Sequence, residues 1–273
     1  SDNSNTQAFM TTHSPIVLRE LRADQISIVR TRVLPAPPRQ VVVEGEVEQQ
    51  NIALNTIVSL SGTQVDQQKL LRTNTEAFLA PNIIVCEGKT EIGLLRGLDF
   101  YNTELGRRGL IAHGCFWADG AGDPSLFNKA RVFASLGYRV AILMDSDVTS
   151  AAATLAEMQT SSVSIYRWPQ YYSTESAIFS SVPQHCIQAL LSIACDWKSV
   201  DAVDARIRSV SNNTYTLAQC RDLFQDQMRP ILATAAGKKG DWYKDIEPSE
   251  KLARHIVLPQ YENFQEAFKR PIN

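Results

Sequence analysis

Two apolar runs constrain this chain more than anything else in it: NIIVC at 82–86 and RVAILM at 139–144. A strand with one wet face alternates polar and apolar residues, whereas a strand covered on both faces is apolar throughout, as in a parallel sheet packed between helices. The surrounding pattern agrees. GLLRGLDFYNTELG (93–106) carries a helical stripe, GLIAHGCFW (109–117) reads as a strand, and NKARVFASLG (128–137) as a helix. Residues 150–159 read as helix and SVSIYRWPQ (162–170) as a third short strand. Strands alternating with helices predict an α/β fold with a mostly parallel central sheet flanked by helices.

Each of the two runs stops on carboxylates. Glu87 follows the first, with Gly88 and then Glu91 four residues on; Asp145-Ser146-Asp147 follows the second. Ligands of parallel α/β folds bind beyond the carboxyl ends of the strands. If the two strands are neighbours, Glu87, Asp145 and Asp147 converge there, and Glu91, one helical turn beyond Glu87, faces the same point. Gly88 is expected to permit a tight turn and keep the site open. Alone, DSD after a strand is a helix-capping loop and EGKTE a helix start with acids favoured by the dipole. Together, at the ends of two buried strands, they form a cluster of like charges that a cation must neutralise. Hard divalent ions with oxygen ligands do this, and two of them about 4 Å apart can clamp the attacking and leaving oxygens of a phosphoryl displacement.

The rest of the chain bounds the possibilities. The net charge is −2, so no global basic field announces nucleic acid. Five scattered cysteines without a CxxC pair indicate free thiols in a reducing cytoplasm rather than disulfides or zinc. No apolar stretch is long enough for a membrane span. Residues 1–45 hold strand-length segments (ISIVRTR, VVVEG) and the stop signal PAPP; 46–80 read as a helical linker; 81–174 hold the α/β unit. Residues 175–236, with Ile187, Leu190, Leu191 and Ile193 at helical spacing, read as a helical insertion, and 237–273 as a C-terminal helical segment. The opening SDNSNTQ, followed at once by a strand-like segment, reads as a cut from a longer protein.

VCEGKTE followed by AILMDSD resembles the Toprim domain of topoisomerases, bacterial primases and a group of nucleases. TTHSP at 11–15 resembles the last strand and switch histidine of ABC-type ATPases. The combination is similar to the OLD (overcoming lysogenization defect) family of nucleases, which includes the nuclease subunit of Gabija defence systems. The resemblance covers about 1–45 and 80–172, and more loosely the remainder. It implies a cytoplasmic DNA endonuclease working in bacterial or phage defence or DNA processing. Its two ions are Mg²⁺ or Mn²⁺, held by Glu87, Glu91, Asp145 and Asp147, with Glu87 a possible base through water. Thr149 stands where many topoisomerases and primases carry a third acid, which fits the nuclease branch. Glu175, in YYSTESAIF, stands where OLD-like sequences place another acid. The resemblance also implies a lysine shortly before a tryptophan; in GKKGDWYK the spacing to Trp242 favours Lys239 over Lys238 as the catalytic lysine.

Further expectations follow. The glycine-rich ADGAGDPS (118–125) reads as a phosphate cradle or an ordinary turn, with Asp119 and Asp123 as turn residues. His113, His185 and His255 read as structural, without partners at ligand spacing. DNA contact falls to Arg107 and Arg108, Lys129 and Arg131, and the strip Lys238, Lys239 and Lys244 with Trp242 and Tyr243 interleaved. No GxxxxGK[ST] occurs, so ATP enters only through a missing N-terminal part. A homo-oligomer in the full-length protein and a helicase partner belong to the same resemblance. The alternatives are a topoisomerase- or primase-like protein, or a non-catalytic DNA-docking or dimerisation module. The first lacks a winged-helix-like partner domain for its tyrosine, and the second should have lost its four acids.

Overall fold

A computed structural model of the chain describes residues 9–35, 51–61, 65–122, 124–146, 152–169, 171–237 and 239–264. These fall into two compact units, Ser1–Thr75 and Glu76–Asn273.

In the first unit, Ser14 caps helix α1 (Pro15–Glu20) by accepting from Val17 N at 3.4 Å, with Pro15 at the first helical position, where its missing N–H costs nothing. Strand β1 (Ser27–Pro35) pairs antiparallel with β2 (Asn51–Ser59) over its whole length. The second strand corrects the expectation of a helical linker over 46–80. NIALNTIVS is rich in β-branched residues, and its partner lies far away in sequence, so a reading of local period misses the ladder that decides it. Among the described residues of that stretch, α-helix is confined to α2 (Val65–Thr73), followed by a 3₁₀ turn at Thr75–Leu79; Leu70 and Leu71 of α2 are buried, as are Leu18, Ala23, Ile26 and Leu60. The expected VVVEG strand lies outside the described residues.

The second unit is built on four parallel strands in the order β4-β3-β5-β6. They are β3 (Asn82–Cys86), β4 (Cys115–Asp119), β5 (Arg139–Met144) and β6 (Ser164–Arg167). Helices α3 (Lys89–Glu104), α4 (Ser125–Ser135) and α5 (Ala152–Thr160) make the crossovers. The two apolar runs are therefore adjacent central strands, in register from Asn82↔Arg139 to Cys86↔Leu143. Ile83, Val85, Val140, Ile142 and Met144 are buried between the helices. Phe78, Phe133 and Tyr138 cluster with centroids 5.2–6.0 Å apart, and Tyr138 Oη donates to Phe78 O at 2.8 Å. The expected strand at 109–117 starts later, at Cys115. Gly114 sits at φ +69 after a 3₁₀ turn (Ile111–His113), where a Cβ would meet Pro81 Cγ at 2.8 Å.

Helices α6 (Thr174–Ser181), α7 (Ile187–Lys198), α8 (Val200–Val210), α9 (Leu217–Asp222) and α10 (Arg229–Ala236) account for the expected helical region. They do not stand apart from their neighbours. One apolar core runs from Trp168 through Ile178, Leu190 and Leu232 to Trp242, Leu252 and Phe264, joining segments expected as three separate pieces. The last described α-helix, α11 (Ile246–Leu252), runs on into a π-helical turn (Ala253–Val257), and together they cross α3 at Gly93 and Gly97. A Cβ on Gly93 would lie 2.5 Å from Ile246 O, and one on Gly97 2.5 Å from Ala253 Cβ, so the crossing requires glycine at both. Among the described residues no helix is long and apolar enough to cross a membrane.

Candidate functional site

The site forms where β3 and β5 end. Glu87 continues the ladder, its N–H donating to Leu143 O at 2.9 Å, and its Oε2 accepts from Asp145 N at 2.9 Å. The loop after β4 folds onto the same end: Gly120 N donates to Cys86 O at 2.7 Å and Gly122 N to Glu87 O at 2.9 Å. A Cβ on Gly120 would come within 2.3 Å of Cys86 O, so this loop needs glycine to approach the strand. Asp119 accepts from Ala121 N at 2.8 Å, the turn role expected of it.

Gly88 departs from its expectation. Its backbone is extended (φ −160), and a Cβ would meet nothing nearer than Glu91 Oε2 at 3.8 Å, so no tight turn demands glycine there. It caps α3, and Glu91 at the third helical position reaches back, Oε2 accepting from Gly88 N at 3.0 Å. Glu91 is thus a helix-start glutamate with one oxygen, while its other oxygen turns to Thr174 Oγ1 at 3.1 Å.

Asp145 Oδ1 accepts from Thr174 N and from Thr174 Oγ1, both at 2.8 Å. Ser146 anchors the next loop: its N donates to Tyr172 O at 3.0 Å, its O accepts from Tyr171 N at 2.9 Å, and its hydroxyl bonds Pro169 O. The end of β5 is thereby stitched to the segment that starts α6.

Burial makes these carboxylates unusual. Relative exposure is 5% for Glu91, 9% for Asp145 and 1% for Glu175. Burial and then Asp145 push Glu91 up to about 8. Burial pushes Asp145 up to about 7, aided by Glu175 and Glu87 and opposed by the Thr174 hydrogen bond. Glu175, in the first turn of α6, has no hydrogen-bond partner on either oxygen. A buried carboxylate without a partner is costly, so this region is short of positive charge or protons.

One cation answers part of that shortage. Lys244 lines a cavity of about 220 Å³ together with Glu87, Glu91, Asp145, Lys89 and Thr90. Lys244 is exposed at the mouth of the cavity; partial desolvation works against its charge, but Glu175, Asp145 and Glu91 outweigh it and raise its pKa. Its position is fixed by Trp242 and Tyr243, each 1% exposed in the helical core. Tyr243 Oη donates to Leu190 O at 2.9 Å, and Tyr243 O accepts from Thr90 Oγ1 at 3.3 Å and from Ser249 Oγ. Lys89 is paired with Asp245 at 3.3 Å.

The structure thus brings together Glu87, Glu91, Asp145 and Lys244, with Glu175 acting electrostatically on Asp145 and Lys244. Lys239 does not line the cavity; it is exposed in a turn at φ +76. Asp147, Lys238, Asp123 and Thr149 lie outside the described residues. Arg107 and Arg108 are exposed beyond the end of α3, away from the cavity lining. Lys129 bonds Asp119 O at 2.6 Å and Arg131 pairs with Glu157 at 2.7 Å, so both already serve the fold. His185 and His255 line a separate surface cavity with Asp196 and Lys251. All five cysteines are unpaired, and buried Cys86, beside Glu91 and Asp119, has its thiol pKa pushed well up. Thr174 and Trp168 are the residues that the sequence did not announce: a threonine before a helix-start glutamate carries no signal of its own.

Among the described residues, no three His, Cys, Asp or Glu side chains stand in a ready-made metal-binding group. The donor set is nonetheless all oxygen, and the unpartnered Glu175 oxygens and raised Glu91 and Asp145 mark a deficit that a hard divalent cation fits. Comparison of the chain with protein-family models, with curated proteins and with solved structures gives no match in any of the three, so the chemistry rests on the site itself.

Proposed function

We propose that residues 76–273 form a Toprim-like nuclease centre of the OLD type, hydrolysing phosphodiester bonds of DNA. One observation carries this reading: Glu87, Glu91 and Asp145 share a cavity with Lys244 at the carboxyl end of a parallel sheet. Glu87, Glu91, Asp145 and Glu175 would hold Mg²⁺ or Mn²⁺, and Asp147, outside the described residues, is a further ligand on the resemblance alone. When bound, such ions neutralise phosphate charge and lower the pKa of water.

The chain's own groups do the rest. Glu87 has one oxygen committed to Asp145 N, which leaves the other to accept the proton of the attacking water. Water oxygen bonds to phosphorus, the bond to the leaving sugar oxygen breaks, that oxygen takes a proton from solvent, and Glu87 returns its proton to solvent. Lys244, kept charged by its carboxylate neighbours, stabilises the negative charge that gathers on the phosphate. The lysine role expected of Lys239 passes in this reading to Lys244: both lysines are exposed, but only Lys244 lines the cavity.

The purified chain with Mn²⁺ or Mg²⁺ is expected to nick supercoiled plasmid and to stop on addition of EDTA. Asp145→Ala is expected to lower the rate at least about 100-fold, since even partners of metal ligands are worth about 10–100-fold. Plasmid that stays supercoiled with each of several divalent metals sinks the reading.

A further inference from the structure

Thr174 touches two of the site carboxylates at once. Its Oγ1 lies 2.8 Å from Asp145 Oδ1 and 3.1 Å from Glu91 Oε1, and its N–H donates to the same Asp145 oxygen at 2.8 Å. A third neighbour, Trp168 Nε1, sits 2.8 Å from the hydroxyl oxygen and can only donate. The indole therefore occupies the acceptor side of the hydroxyl and turns its single proton toward the carboxylates.

Helix capping does not explain this hydroxyl. Ser173 is the cap of α6, its Oγ accepting from Ser176 N at 3.2 Å. Solvation does not explain it either, because Thr174 is 1% exposed. A hydroxyl buried without partners is destabilising, and every partner this one has is Trp168 or a site carboxylate.

We propose that Thr174 is a positioning residue: pinned by Trp168, its hydroxyl fixes the separation of Glu91 on α3 from Asp145 at the end of β5, and so the spacing of a bound pair of divalent cations. This rests on the metal-dependent reading above. Two ions that act on one phosphate sit about 3.5–4 Å apart, a tolerance that long side chains from two different elements do not keep unaided.

The test uses the full chain and Mn²⁺ alone, without DNA. Wild type is expected to bind two ions and to give the electron paramagnetic resonance spectrum of an exchange-coupled Mn²⁺ pair. Thr174→Val is expected to weaken the second ion by about 10–100-fold and to lose the coupled spectrum, and Thr174→Ser to retain it. With Mg²⁺, the Trp168 indole N–H resonance is expected to shift on titration in wild type and Thr174→Ser, and not in Thr174→Val. A coupled pair of wild-type affinity in Thr174→Val overturns the proposal and leaves the nuclease reading standing. No coupled pair in wild type removes both. Where valine does not pack, Trp168→Phe takes away the pin and keeps the hydroxyl; it is expected to lose the coupling in smaller measure, and unchanged binding there overturns the proposal as well.

Discussion

Tyr243 and Lys244 are adjacent in the chain and belong to opposite kinds of surroundings. Tyr243 lies in the helical core, where its ring packs near Phe179 and its hydroxyl finds Leu190 O. Lys244 opens into the cavity at the end of the sheet, among carboxylates that burial has raised toward neutral pH and beside a Glu175 with no bonded oxygen. The first region spends its polar groups on stability; the second holds like charges together at a cost to stability. Folded chains tolerate such conflict where something outside the chain resolves it, and this contrast supports the proposal that the sheet end is the functional region.

The contrast can be broken at several points. The largest effect is expected from Lys244→Met, which should lower plasmid nicking by about 10²–10³-fold, the usual loss for a donor to developing negative charge. Lys239→Ala should remain within about twofold of wild type. The reverse pair of rates returns the role to Lys239 and separates the cavity from the chemistry.

A smaller effect tests whether the helical core holds Lys244 in place. Gly97→Ala puts a Cβ 2.5 Å from Ala253 Cβ and 2.7 Å from Glu250 O, which should cost about 1–3 kcal/mol. Each kcal/mol should lower the melting temperature by about 2–4 °C in a unit of this size. Nicking should fall with it, because α11 follows Lys244 directly and sets its height against α3. Normal stability in this variant would mean that α11 does not cross α3 at that glycine.

The smallest effect concerns pH in the absence of metal. Glu91 and Asp145 have folded pKa values raised to about 8 and about 7, so the folded state holds protons that the unfolded chain releases near pH 4. Their contribution is fully present below about pH 4 and is lost as pH rises through 7 and 8. In EDTA the melting temperature should therefore fall between pH 5.5 and pH 8.5. Mg²⁺ should restore it at the upper pH by binding the folded state, and Asp145→Asn should flatten the fall. A melting temperature that rises over this interval in EDTA would show that the carboxylates are not held together as described.

Much of the sheet was legible because its signals are local. NIIVC and RVAILM are continuous apolar runs whatever surrounds them, and acids placed directly after such strands must emerge at one end of a parallel sheet. The strand at 51–59 was not legible, since its partner lies across an intervening segment and a ladder leaves no periodic trace in one strand. The glycines at 93 and 97 were visible only as part of a helical stripe. What they are for depends on a helix about 150 residues later, which the sequence does not point to.

The chain by itself determined the fold class, the strands that carry Glu87 and Asp145, and the helical turn that carries Glu91, because hydrophobic period and chain connectivity act within a few residues. Only the tertiary structure decided which lysine meets them, that Glu175 is buried without a partner, and that Thr174 joins Glu91 to Asp145. Those facts depend on where α6 and α11 come to rest, and that is set by packing between segments far apart in sequence, where a glycine of one helix admits the backbone of another.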